Sequence, residues 1–229
     1  MEGLSGDSAI DSDEHKVPLR LADNFYSSID ILYFDLRHFS KNLVAVSVNV
    51  KILRLNKAGI PVSWLTREEA ATLLVKEQVM WSLGKVVAEL YGGYNNAGIQ
   101  SVLRLPSIVA CEDQVHNAKY NAPLDNRFLF RRDRNICLYC GKTFHSRDLS
   151  RDHVTPVSRG GLNAWTNVVS SCRRCNNRKA DRTPEEAGME LLAVPFAPNQ
   201  YEFLYLSNHN VLADQMDFLS ARFSHQLKE

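Results

Sequence analysis

Residues 137–180 read CLYCGKTFHSRDLSRDHVTPVSRGGLNAWTNVVSSCRRCNNRKA, and this stretch decides how the second half of the chain folds. It opens with Cys137-Leu138-Tyr139-Cys140-Gly141, the form of a zinc knuckle, in which a tight turn aims two thiolates at one ion and a small residue follows. Cys172-Arg173-Arg174-Cys175 repeats the spacing, with 31 residues between the two pairs. Four thiolates satisfy tetrahedral zinc and leave no position for water, so Cys137, Cys140, Cys172 and Cys175 predict a structural Zn²⁺ rather than a catalytic one. The adjacent Arg residues favour thiolate over thiol. Four unrelated buried cysteines would be the bland alternative, and two C-x-x-C pairs in one segment argue against it. A segment of about 55 residues has a marginal core. Structural zinc contributes roughly 10–16 kcal/mol, against a total stability of roughly 5–15 kcal/mol for a typical domain. The metal is therefore expected to hold this segment folded.

The same segment is strongly basic. From Arg127 to Arg182 the chain carries 11 Arg and 2 Lys against 4 Asp and no Glu, a local excess of +9 in a chain whose formal net charge is only +1. The remainder must then carry −8. A local field of this sign is the footprint of a polyanion-binding module hidden in the whole-chain average. Arg151, Arg159, Arg173, Arg174, Arg178 and Lys179 are the candidate phosphate contacts, several of them near a helix start where main-chain N–H groups add to the positive potential.

Between the cysteine pairs stands Asp152-His153, followed by Pro156, Gly160-Gly161 and Asn167; Asn176 follows the last cysteine. Phosphodiester hydrolysis needs a base that works near neutral pH, and histidine is the side chain suited to that. It also needs a cation for the departing oxygen and the developing charge, which a hard metal on oxygen ligands supplies. Asp152 offers a carboxylate and Asn176 an amide oxygen. Because Asp152 and His153 are adjacent, an extended strand points them to opposite faces, so a bend or strand end must bring both to one site. For Asn167 a plain turn-forming role competes with a functional one. His145 reads as surface and Trp165 as a core anchor.

Taken together, Cys-x-x-Cys-Gly, Asp152-His153-Val154-x-Pro156, Gly160-Gly161, Trp165-x-Asn167 and Cys-x-x-Cys-Asn176-x-x-Lys179 resemble the HNH endonuclease superfamily, also called ββα-metal or His-Me finger nucleases. More narrowly the pattern is similar to McrA-like bacterial and phage HNH proteins with a four-cysteine zinc ribbon. The resemblance covers about Cys137 to Ala187. It implies two strands joined by a loop, then a helix, with His153 as general base and Asn167 orienting its imidazole through a backbone or side-chain hydrogen bond. It also implies Asp152 and Asn176 as ligands of a catalytic Mg²⁺ or Mn²⁺. Asn176 stands where many members have His, which makes this an H-N-N variant. A looser likeness to the N-terminal arm of bacterial HNH proteins runs through Ile52–Asn56, Glu69-Ala70 and Leu103–Pro106, without implying a role.

Elsewhere the chain reads as an ordinary α+β protein, with an apolar content of 45% and a charged content of 23%. Leu43 to Leu55 alternates at period 2 and predicts a strand, or two with a break. Lys57 to Pro61 is a turn. Thr66 and Glu69 form a capping box that starts a helix with Ala70, Leu73 and Leu74 on its apolar side. Gly92 to Gly98 reads as a loop, and Val102 to Ala110 as a strand broken at Pro106. Thr183-Pro184-Glu185-Glu186 predicts a second capped helix, ended by Pro195 and Pro198. Met216, Leu219, Phe223 and Leu227 recur at helical spacing. The chain thus divides into a disordered acidic tail at 1–18, an α+β region of unassigned role at 19–126, the ββα-metal module at 127–187 and a helical extension at 188–229.

No run approaches the length of a membrane span, and the acidic start is not a secretory signal. With the odd Cys111 left over, these features predict a soluble, cytoplasmic protein in a reducing compartment. The expected partner is DNA, with structured RNA left open, and a single site making one cut leaves room for a homodimer or a larger nuclease complex. The competing function is a zinc-ribbon protein that binds nucleic acid without cutting it. Asp152, His153 and Asn176 argue against that, since binding alone requires none of them.

Overall fold

The alternation around Ile52 becomes the centre of a four-stranded sheet. The computed structural model describes residues 50–112, 120–225 and 227. The chain divides into two units, Met1–Leu36 and Arg37–Glu229, and every described residue belongs to the second. The expected tail at 1–18 and the first residues of the strand expected from Leu43 lie outside the described residues. Strand β1 (Ile52–Asn56) turns back into β2 (Pro61–Leu65). Asn56 sets that turn, its side-chain oxygen accepting from the backbone N–H of Ala58 at 3.0 Å and of Ile60 at 2.9 Å. Helix α1 (Arg67–Val75) starts at the expected box: Thr66 Oγ1 accepts from Glu69 N at 3.2 Å, and Glu69 Oε2 from Thr66 N at 2.8 Å. A long hairpin of β3 (Val79–Tyr94) and β4 (Gln100–Cys111) completes the sheet, in the order β2-β1-β4-β3. Strands β1 and β4 run parallel, and the other pairs are antiparallel.

Two expectations are corrected in this hairpin. Gly92, Gly93 and Tyr94 belong to β3, and the loop shrinks to a tight turn in which Asn95 Oδ1 accepts from Ala97 N and Ile99 N. Strand β4 is not broken at Pro106. That residue lies opposite Val86, where the register of β3 shifts on both sides, so an irregular stretch of ladder takes the residue that has no N–H to donate.

The second half contains the expected two strands and helix. Helix α2 (Asn126–Arg132), capped by Asp125, precedes β5 (Leu149–His153), β6 (Val168–Cys172) and α3 (Arg173–Lys179). Strands β5 and β6 pair antiparallel, with Asp152 opposite Val169 and His153 opposite Val168. Leu129, Phe130, Leu149, Trp165 and Val168 form the core here, and the Trp165 indole donates to the carbonyl of Ala122 at 2.8 Å. Under it lies a buried ion pair, Arg132 Nε to Asp133 Oδ1 at 2.8 Å, with side chains only 1% and 5% exposed. Arg132 also donates to the carbonyls of Trp165, Val168 and Phe196, while Asp133 accepts from Ser170 N at 2.7 Å.

The Thr183 box forms, but it caps no helix. The chain makes a single turn and leaves it at Gly188, whose φ of +59° ends helical continuation. Pro195 and Pro198 instead precede helix α4 (Gln200–Ser207), which begins at a further box, Asn199 with Glu202. Helix α5 (Ala213–Ser220) carries Met216 and Leu219, whereas Phe223 and Leu227 lie beyond its end.

Successive residues of a strand face opposite sides, so the sheet has two cores. Ile52, Leu105 and Val109 pack with Ala70 and Ala71 of α1; Leu53, Leu55, Ile108 and Ala110 pack with Leu204 of α4 and Leu219 of α5. Phe203 of α4 faces the other way, against Phe128 of α2, with ring centroids 4.9 Å apart and edge-on. The whole is an α+β fold, as the sequence indicated. Among the described residues, no helix is long and apolar enough to cross a membrane.

The Arg132–Asp133 pair supplies a stability test. Asp133→Ala leaves a buried guanidinium without its counter-charge and should cost about 3–5 kcal/mol, read as a lowered midpoint in urea or thermal denaturation. Arg127→Ala removes a side chain that is 82% exposed and should cost under about 1 kcal/mol. Equal effects from the two substitutions would show that the pair is not a stability determinant.

Candidate active site and metal centre

The four cysteines of the two pairs come together, with ligand atoms all within 4.8 Å of one another. The first pair sits on a turn closed by Gly141 N to Cys137 O at 2.9 Å and Cys137 N to Lys142 O at 3.0 Å. Gly141 has φ of +69°, the left-handed conformation a knuckle requires. Leu138 N donates to Ser170 O, which ties the knuckle to β6. In the second pair Cys172 ends β6 and Cys175 lies in the first turn of α3, three residues on, so both project to one side.

The electrostatics call for a cation. Burial raises the Cys137 thiol, but hydrogen bonds from backbone at Cys172, Tyr139 and Cys140 outweigh it and bring it down to about 7. Burial pushes Cys140 and Cys175 up, and the negative charge on Cys137 adds to this. Only the Cys137 thiol is thus lowered while two of its neighbours are raised; a positive ion is what lets the four ionise together, and a four-sulfur set fits tetrahedral zinc.

Helix α3 presents two faces. Cys172, Cys175, Asn176 and Lys179 recur at three- and four-residue spacing and are buried or half-buried, while Arg173, Arg174, Asn177 and Arg178 are exposed. The inner face packs on the side of β5 that carries Ser150 and Asp152. Asn176 Nδ2 donates to Ser150 Oγ at 2.8 Å, and Lys179 Nζ donates to Asp152 Oδ1 at 3.2 Å. Tyr139, from between the first two cysteines, donates its hydroxyl to Asp152 Oδ2 at 2.5 Å. Burial, and then this hydrogen bond, push the Tyr139 phenol far above its ordinary range, so it stays a neutral donor. Asp152 itself is only 5% exposed.

His153 does point to the other face. Its Nε2 lies 3.2 Å from Asn163 Oδ1, which also accepts from Arg151 Nη1 at 2.9 Å. Its carbonyl, however, accepts from Lys179 Nζ at 2.7 Å. One ammonium thus binds the side chain of Asp152 and the backbone of His153 at the end of β5, where the strand gives way to the loop.

Asn167 is corrected in its contacts: it does not hydrogen-bond the imidazole. Its side chain accepts from Thr155 N at 2.9 Å and donates to the carbonyls of Thr155 and Leu162, and its own carbonyl accepts from Val154 N. It clamps the loop that follows His153. That loop is close-packed: a Cβ on Gly161 would lie 1.8 Å from the carbonyl oxygen of Thr155, so only glycine fits.

The basic residues divide three ways. Lys179 is corrected outright: at 1% exposure it cannot touch a phosphate from outside. Arg159 is bound to both carboxylate oxygens of Glu186, at 2.7 and 2.6 Å, and Arg151 to Asn126 and Asn163. Arg173, Arg174 and Arg178 line an open cleft of about 800 Å³ beside the cysteines, together with Lys142. Sequence reasoning passed over Tyr139, Ser150 and Asn163. Ser150 was recoverable, standing two residues before Asp152 and hence on its face of the strand.

Residues 137–192 match the family model described as HNH endonuclease. This segment is therefore an HNH module, built around a four-cysteine cluster. No curated protein matches the chain.

Asp152, on β5, and Asn176, on α3 packed against it, each carry an oxygen of the kind a hard ion takes. Both Asp152 oxygens accept hydrogen bonds, from Lys179 and Tyr139, and the Asn176 amide nitrogen is committed to Ser150, which leaves its oxygen as the group to offer a cation. A four-sulfur set suits zinc instead.

Cys140→Ser or Cys175→Ser should lose zinc by elemental analysis and unfold the region from Arg127 to Arg182, read by hydrogen exchange. Cys111→Ser, which alters a buried residue at the end of β4 outside the cluster, should keep its full zinc content. Because thiols must lose protons to bind the ion, acidification should release it. Wild-type protein without zinc would refute the assignment.

Proposed function

We propose that this chain is a metal-dependent endonuclease that hydrolyses phosphodiester bonds in DNA. The observation that supports this best is the packing of α3 on β5. It gathers Asp152 and Asn176 on one face, with His153 as the adjacent, half-exposed last residue of the strand.

His153 acts as general base, its imidazole taking a proton from the attacking water. Asn163 orients the ring through Nε2, and Asn167 fixes the loop that leaves it. Lys179 holds the Asp152–His153 dipeptide from beneath. Asp152 and Asn176 would hold a divalent ion, Mg²⁺ or Mn²⁺, which supplies positive charge for the phosphate oxygens as the bond breaks. Arg173, Arg174 and Arg178 bind backbone phosphates along the cleft beside the cysteines. Contacts of this kind position the duplex without reading its sequence, so binding should weaken steeply with salt.

The test is cleavage of supercoiled plasmid, linear duplex, single strand and RNA with Mg²⁺ or Mn²⁺. DNA should be cut, and RNA cut more readily than DNA would overturn the substrate assignment. His153→Ala should slow cutting by roughly 10²–10⁴-fold while DNA affinity and zinc content stay near wild type. Brief, mild EDTA treatment should abolish cutting with zinc retained, and added Mg²⁺ or Mn²⁺ should restore it. A His153→Ala variant that cuts normally removes the base assignment, and activity restored by Zn²⁺ alone removes the oxygen-ligand site. Binding without cutting under every condition would favour the non-catalytic zinc-ribbon function instead.

A further inference from the structure

Lys179 heads the largest fully buried side chains among the described residues, and a buried ammonium is costly unless partners offset its desolvation. Its partners are Asp152 Oδ1 and the His153 carbonyl. The side chains of the ion pair are 1% and 6% exposed, so water screens them little. The charges around the carboxylate are Asp152 at −1 and Lys179 at +1, while Asn176, Ser150 and Tyr139 are neutral. The ligand set is therefore electrically balanced before any divalent ion arrives. An ion bound to the same carboxylate sits within a few ångströms of the ammonium, and like charges at that range repel strongly in a poorly screened site. The cysteine thiolates that act on Tyr139 are committed to their own cluster, whereas a phosphodiester brings −1 directly to the ion.

We propose that Lys179 is a positioning residue that keeps the Asp152–Asn176 site weak for a free divalent ion, so that the ion and the DNA phosphate load together. This rests on the nuclease function proposed above. By linkage, whatever factor DNA adds to ion affinity the ion adds to DNA affinity. A site built this way stays largely unloaded until a phosphate backbone is in place. A phosphate oxygen that ligates the ion gives some coupling by itself, so the mark of Lys179 is the part lost when its charge is removed.

The experiment titrates Mn²⁺ by electron paramagnetic resonance on the full-length, zinc-loaded chain carrying His153→Ala, so that DNA remains intact. Titrations are run with and without a short duplex. With Lys179 present, the duplex should tighten Mn²⁺ binding by about tenfold or more. Adding Lys179→Met, which keeps the length and removes the charge, should tighten binding without DNA by a similar factor and shrink the coupling. Lys179→Arg should keep both weak binding and coupling. Zinc content and circular dichroism verify each fold. If Lys179→Met does not fold, Lys179→Gln takes its place in the same titrations; absence of coupling in the parent overturns the proposal in either case. So does a folded Lys179→Met that binds Mn²⁺ no more tightly than the parent. Those results, beside wild-type cleavage that still needs Asp152 and Mn²⁺, would leave the nuclease function standing. No Mn²⁺ binding in any arm and no cleavage by wild type would overturn both.

Discussion

Four sulfur atoms have to meet at one point, and the geometry of the second half of the molecule follows from that. Two come from a turn ahead of β5 and two from the junction of β6 with α3. Helix α3 is only seven residues long, far too short to be stable alone in water. Its place is set from outside, by Cys172 and Cys175 at its start and by the buried Lys179 at its end. Once α3 is pinned, Asn176 has to lie over β5, and Tyr139, riding between two of the ligands, has to reach Asp152. The sulfur cluster thus positions oxygen-bearing side chains that are not among its own ligands.

The adjacent pair Asp152-His153 is not brought to one face, because the strand does not bend. Alternation sends the carboxylate inward and the imidazole outward, and β5 ends at His153, where the chain is free to turn. Lys179 bridges the two residues by using a side-chain oxygen from one and a carbonyl from the other. Beyond the strand end, Asn167 and the close contact at Gly161 hold the loop. The two side chains keep opposite orientations but share one rigid support.

What could be read from the sequence was whatever chemistry is local. The two cysteine pairs and the Thr66 box each depend on a few neighbouring residues, and each is found where its spacing placed it. What failed depended on partners elsewhere in the chain. The Thr183 box forms its hydrogen bonds, yet Gly188 stops the helix before it starts. Pro106 read as a break, but the opposing strand adjusts to it. Strand β3 has no clean alternation because most of its side chains are exposed, so no periodic signal marks it. Lys179 is the instructive case. Its charge suggested a phosphate contact, whereas its spacing from Cys175 and Asn176 puts it on the inner face of α3. Periodicity was the better guide there, because a helix face is a geometric fact and a charge can be answered in more than one way. Asn167 was identified as a residue that mattered, but its contacts with Thr155 and Leu162 arise from a loop shape no spacing reveals.

Helix α4 gives Leu204 to the sheet and Phe203 to the core around Trp165, so one short helix is a wall of both. Neither core is complete without it, and Trp64 Nε1 and Arg131 Nη1 bind its backbone from the two sides, at the carbonyls of Leu204 and Leu206. Shared walls make unfolding cooperative: loosening one side exposes apolar surface on the other. The sheet and the HNH module are in this respect coupled through one helix, so a change of packing on one side of it is passed to the other.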